Sequence, residues 1–190
     1  MNKELVINAT PDGVVLALLQ DKQLIELHQE KTNNSFSVGD IYLGRIKKIM
    51  PGLNAAFVDV GYEKDAFLHY LDLGSQVQTL LKYTKRVRTA PKNEKISISD
   101  FPLEVDINQN GKITEILGKN LLIPVQIAKE PISSKGPRLS AEISLAGRYV
   151  VLVPFSDVIS VSKKIKSAGE RNRLKKIIES VKPKNFGVII

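Results

Sequence analysis

From Gly39 to His69 the chain breaks into short apolar runs separated by turn residues at near-even spacing, a pattern few folds can accommodate. Ile41 to Ile49 reads as one strand with Gly44 at a bend, and Pro51-Gly52 turns it. Ala55 to Val60 reads as a second strand, Gly61-Tyr62-Glu63 as a turn, and Ala66 to His69 as a third. Two later stretches, Leu121 to Ile127 and Leu139 to Leu145, would bring the set to five. Five short strands with such turns suit a small Greek-key barrel of the oligonucleotide-binding type.

The flanks carry other patterns. Residues 3–30 read as an antiparallel meander turned at Pro11-Asp12-Gly13 and at Gln20-Asp21-Lys22, with a loop at Asn33-Asn34-Ser35. Residues 71–118 interrupt the barrel, and Leu103 to Ile116 within them is expected to form a hairpin about Asn108-Gln109-Asn110-Gly111. The first half of that insertion shows no clear periodicity, only the basic run Lys82 to Lys95. Beyond Gly147, Tyr149 to Pro154 reads as a buried strand and Val158 to Val161 as a short one. A helix follows. Ser167 and Glu170 stand at capping-box spacing, Leu174, Ile177, Ile178 and Val181 share one face, and Pro183 ends it. The last residues, Gly187 to Ile190, read as a fresh apolar strand, so a chain continuing further is expected.

Composition narrows the chemistry. With no cysteine, the sequence holds neither a disulfide nor a thiolate metal site, and two isolated histidines, His28 and His69, make no metal cluster. No window approaches the ~18 unbroken apolar residues of a membrane helix. The short run Leu5-Val6-Ile7 is no secretory signal, so a soluble cytoplasmic protein is expected. The formal net charge is +8, concentrated after residue 144, where ten bases face three acids. Such a block suits a polyanion such as RNA, although a basic helix face can also be merely solvated.

Three segments, Gly44-Arg45-Ile46-Lys47-Lys48-Ile49, Ala55 to Gly61 and Ala66 to His69, resemble the RNA-binding module named after ribosomal protein S-one. The flanks resemble the ribonuclease E/G family: Ile7-Asn8-Ala9-Thr10, Ile143 to Pro154, and Ser162-Lys163-Lys164-Ile165 before a charged helix. That resemblance implies an α+β, mostly β chain, with a five-stranded oligonucleotide-binding barrel inserted into a partial ribonuclease-H-like domain. Residues 1–38 would open that domain, 39–143 would be the barrel with its insertion at 71–118, and 144–190 would continue the domain. The family cuts single-stranded RNA endonucleolytically with magnesium-holding aspartates in a nuclease domain further along the chain, followed by a zinc-linked cysteine motif. This chain offers neither, since its acids are dispersed. It is expected to bind RNA without cutting, with magnesium, zinc and homo-oligomerisation belonging to the longer parent.

The resemblance also implies site residues. Phe57 and Phe67 would stack on unpaired bases, and Lys135, in the loop Ser133 to Pro137, would touch RNA. Gly147, Val151 and Lys163 match positions of a 5′-monophosphate pocket, whose remaining arginine and threonine would lie just past Ile190. Lys163 departs from the family's arginine, keeping the charge but losing the bidentate fork. Each residue has a plainer reading: both phenylalanines and Val151 as core, Lys135 as solvated, Gly147 as packing. Two other functions fit the same barrel, a non-enzymatic RNA-binding protein and a protein-interaction module.

Overall fold

Two tight turns fold the first segment on itself. In the computed structural model, which describes residues 2–31 and 36–190, β1 (Lys3–Thr10), β2 (Gly13–Gln20) and β3 (Gln23–Lys31) form an antiparallel three-stranded sheet. Asp21 and Lys22 both take positive φ (47° and 66°), as a two-residue hairpin demands when its turn must match the strand twist. The loop expected at Asn33-Asn34-Ser35 lies outside the described residues. By its internal contacts the chain divides into two compact units, residues 1–37 and 38–190.

The second unit opens with the barrel. β4 (Ile41–Met50), β5 (Ala55–Asp59), β6 (Ala66–His69), β7 (Leu122–Lys129) and β8 (Arg138–Ser140) close in the order β4-β5-β6-β8-β7. Alternate residues face inward, so Ile46, Val58, Leu68, Ile123, Val125, Ile127 and Leu139 are buried to 1% exposure or less. Gly44 does not mark a simple bend. It sits where β4 passes from β7 to β5, and a Cβ there would stand 2.5 Å from Val58 Cγ1. The barrel interior, not a turn, requires glycine.

The insertion contains helix α1 (Val77–Thr89), packed against β7, and the single turn α2 (Ile113–Ile116). The expected hairpin over Leu103 to Ile116 does not form. Its backbone is claimed elsewhere: Glu104 N–H donates to Thr79 Oγ1 at 2.8 Å, Gln76 Nε2 donates to the Glu104 carbonyl at 3.0 Å, and Ile107 N–H donates to the Ser75 carbonyl at 3.0 Å. Ile113 is wholly buried, and its N–H donates to Asn54 Oδ1 at 2.7 Å.

The fifth strand expected over Leu139 to Leu145 divides in two. Arg138–Ser140 closes the barrel, and Leu145–Ala146 becomes β9 of another sheet. Between them Ala141 N–H donates to the Asp72 carbonyl, and Ser144 N–H donates to Gln126 Oε1, which turns the chain out of the barrel. β10 (Val151–Pro154), β11 (Ile159–Ser160) and β12 (Phe186–Ile189) complete a four-stranded sheet ordered β11-β12-β10-β9. Helix α3 (Ala168–Val181) precedes β12, with Ser167 Oγ accepting the Glu170 N–H at 3.3 Å. Glu170 turns forward to Arg173 instead of back to the cap, so only half of the capping box forms. Leu174 and Ile178 are half-buried, while Ile177 and Val181 on the same helix remain exposed.

Candidate nucleic-acid interface

Antiparallel pairing places Phe57 of β5 directly opposite Phe67 of β6, with ring centroids 6.0 Å apart in an edge-to-face arrangement. Both lie on the outer surface, between the inward Ala56, Val58, Ala66 and Leu68, and neither is fully buried. A bulge in β4 between Ile46 and Lys48 brings Lys48 opposite Phe57 on the other side, and Arg138 of β8 pairs with Phe67. One row therefore crosses four strands: Lys48, Phe57, Phe67, Arg138. His69 extends it, its ring 6.4 Å from that of Phe67. His69 Nδ1 accepts the Leu71 N–H at 3.1 Å, which places the proton of the neutral ring on Nε2.

The cations around the row differ. Lys47 bridges Asp65 at 3.0 Å and Asp59 at 3.7 Å, and these carboxylates raise its pKa, Asp65 first through its hydrogen bond. Arg138 is held by Asp72 through both Nε and Nη2. Lys48 has no ion pair among the described residues. Lys135 is exposed, in a tight loop closed by hydrogen bonds to Ile132. That loop lies against the strand of Phe67, whose N–H donates to the Pro137 carbonyl at 2.8 Å. Gly136 makes the approach possible, since a Cβ there would fall 2.3 Å from the Asp65 carbonyl oxygen. Phe57, Phe67 and Lys135 thus share one region of the barrel. The sequence reading missed Lys48, His69 and Arg138. All three stand inside or beside the quoted barrel segments, but their membership of the face depends on register and on a bulge.

Gly147, Val151 and Lys163 gather at one end of the second sheet. Ala146, Val151, Ile189 and Ser160 form a single row across its four strands. Gly147 directly follows β9, and Lys163 lies in the turn three residues past Ser160 of β11, beyond the opposite edge strand of the sheet. Gly147 also lines an open groove of about 760 Å³ with Leu145, Ala146, Val150 and Leu152, and neither Val151 nor Lys163 lines it. All three lie toward one end of the sheet, with Gly147 and Lys163 past its two opposite edge strands.

Among the described residues, no three His, Asp or Glu side chains converge so as to hold a metal ion. Nor is any helix among them long and apolar enough to cross a membrane.

A closed five-stranded barrel with a paired aromatic face defines an oligonucleotide-binding-type barrel protein. The model of the ribonuclease E/G family matches residues 144–190, outside that barrel. Over 190 residues the chain is 33% identical to Ribonuclease G of Escherichia coli, covering all of this chain and 35% of that protein. It is 34% identical over 191 residues to Ribonuclease E of Nostoc sp., covering all of this chain and 23% of that protein. A Ribonuclease E/G-like protein of Porphyra purpurea is 40% identical over 158 residues, 83% of this chain and 25% of its own length. Along its whole length the chain is thus similar to proteins of the ribonuclease E/G family. It spans about a third or less of the length of these curated relatives.

Proposed function

We propose that this chain is the RNA-gripping N-terminal region of a single-strand-specific endoribonuclease acting in RNA processing and decay. The observation that carries the reading is the Phe57–Phe67 pair, two neighbouring aromatic rings on an outer barrel face. Unpaired bases stack on such rings whatever their sequence, at roughly 1–3 kcal/mol per base. Lys48 and Lys135 supply phosphate contacts beside them, and the +7 balance of residues 144–190 adds a longer-range attraction.

The reading extends to the second sheet. Residues 1–38 and 144–190 are the parts of a ribonuclease-H-like domain, and Gly147, Val151 and Lys163 contribute part of a site for a 5′-monophosphate. Their place toward one end of the sheet supports this, as does the positive charge of Lys163 and Lys164. Cleavage belongs to the longer cytoplasmic parent, together with its magnesium, its zinc and its oligomeric assembly. Metal-assisted hydrolysis needs carboxylates converging on a metal, and the pair Asp59 and Asp65 is engaged by Lys47, so this chain should leave 5′-monophosphorylated single-stranded RNA intact in magnesium.

Fluorescence anisotropy with a single-stranded oligoribonucleotide tests the grip. Phe57→Ala and Phe67→Ala should each weaken binding by about 1–3 kcal/mol. Their thermal melts should stay near the parent's, because both rings are partly exposed. A large drop in Tm, in the range of the ~3–5 kcal/mol lost when a buried Phe is truncated, would make them core residues and end the stacking role.

A further inference from the structure

The hairpin joining β9 to β10 presents an aromatic side chain that the proposed function does not use. Gly147 N–H donates to the Val150 carbonyl at 2.8 Å and closes the turn, so Arg148 and Tyr149 stand at its tip. Tyr149 is 74% exposed, and the Arg148 guanidinium lies 5.0 Å from its ring centroid. Arg148 has no carboxylate partner among the described residues. A tyrosine this exposed buries little apolar area, so packing does not explain its place. The guanidinium occupies one face of the ring and leaves room for a planar group on the other. An aromatic ring with an unpaired cation stacked on it matches a base joined to its phosphate.

We propose that Tyr149, backed by Arg148, is a base-stacking platform for the first nucleotide of single-stranded RNA. This rests on the reading of Gly147, Val151 and Lys163 as a 5′-phosphate site. A phosphate held at Gly147 carries its base on a single sugar, within reach of Tyr149 two residues along the turn. Arg148 then has two roles, stacking on the tyrosine and neutralising the adjoining phosphate. The barrel aromatics grip the interior of the strand, and Tyr149 reads where the strand begins.

The test pairs a protein change with an RNA change. The 190-residue chain and its Tyr149→Ala and Tyr149→Phe variants are titrated with a 5′-monophosphorylated oligoribonucleotide and with the same RNA lacking its first base. Removing that base should weaken binding to the parent and to Tyr149→Phe by about fivefold or more, the low end of a base–aromatic stack. Tyr149→Ala should bind both RNAs alike and should melt with the parent. The proposal is overturned if Tyr149→Ala still distinguishes the two RNAs, or if Tyr149→Phe loses as much as Tyr149→Ala. A third RNA with a 5′-hydroxyl separates the two readings. Indifference to the phosphate with the Tyr149 coupling intact removes the phosphate site and supports the stack. Phosphate discrimination without the coupling removes the stack alone.

Discussion

Asn185 donates from Nδ2 to the Phe101 carbonyl at 2.8 Å, tying the turn before β12 to the insertion of the barrel. The same amide meets the carbonyls of Ile98 at 2.9 Å and Ser99 at 3.4 Å. Around this clip Tyr83 of α1 stacks edge-to-face on both Phe101 and Phe155, and its hydroxyl donates to the Ile96 carbonyl. The insertion is thereby a strut between the barrel and the second sheet. Asn185 is 4% exposed and takes φ 61°, a left-handed conformation that asparagine tolerates better than most residues. Asn185→Ala should cost about 1–3 kcal/mol in urea unfolding, the loss of a buried amide's hydrogen bonds to three part-buried carbonyls. Amide exchange should accelerate in residues 96–101 before it does in the barrel.

Gly44→Ala should destabilise the barrel by overpacking, by about 1–3 kcal/mol, because the new Cβ meets Val58 Cγ1 at 2.5 Å. Val58→Ala removes that methyl. In a double-mutant cycle, the pair should be less destabilised than the sum of the single changes. Strict additivity in chemical denaturation would show that the strain lies elsewhere.

Lys47 and Lys48 are neighbours in sequence with different expected roles. Lys48→Ala should flatten the dependence of log K on log salt by about one unit, since Lys48 stands opposite Phe57 without a carboxylate partner among the described residues. Lys47→Ala should change the slope less, because Asp59 and Asp65 already hold its charge. Equal slopes for the two variants would contradict the assigned face.

At the start of α3 the Arg173 guanidinium holds the Glu170 carboxyl below its usual pKa, chiefly by its hydrogen bonds. The stabilisation is present above the ordinary glutamate value and is lost as pH falls through the depressed one. In Arg173→Gln the Glu170 carboxyl, followed by carbon NMR, should titrate at higher pH, near the ordinary ~4.3. A carboxyl unmoved by the change would mean that the ion pair is not formed in solution.

Much of the architecture was legible in order and spacing. The turns at Pro11-Asp12-Gly13, Pro51-Gly52 and Gly61-Tyr62-Glu63, the alternation around Phe57 and Phe67, and the Ser167 cap with Pro183 beyond the helix are local chemistry. Each is decided within a few residues by backbone conformation or by a hydrogen bond to a near neighbour. The insertion was not legible. Residues 103–107 look like a strand, but their hydrogen-bond partners are Ser75, Gln76 and Thr79, about thirty residues earlier.

By itself, the sequence determined that a five-stranded barrel forms, that α3 is basic and capped, and that Phe57 and Phe67 stand on adjacent strands. Only the tertiary structure decided that Lys48 faces them instead of Lys47, that Arg138 closes the row, and that Leu139 to Leu145 divides between two sheets. The reason is register. A strand's side chains alternate with period two, so one bulged residue in β4 exchanges which lysine meets Phe57, and a bulge is set by long-range pairing that local sequence does not encode.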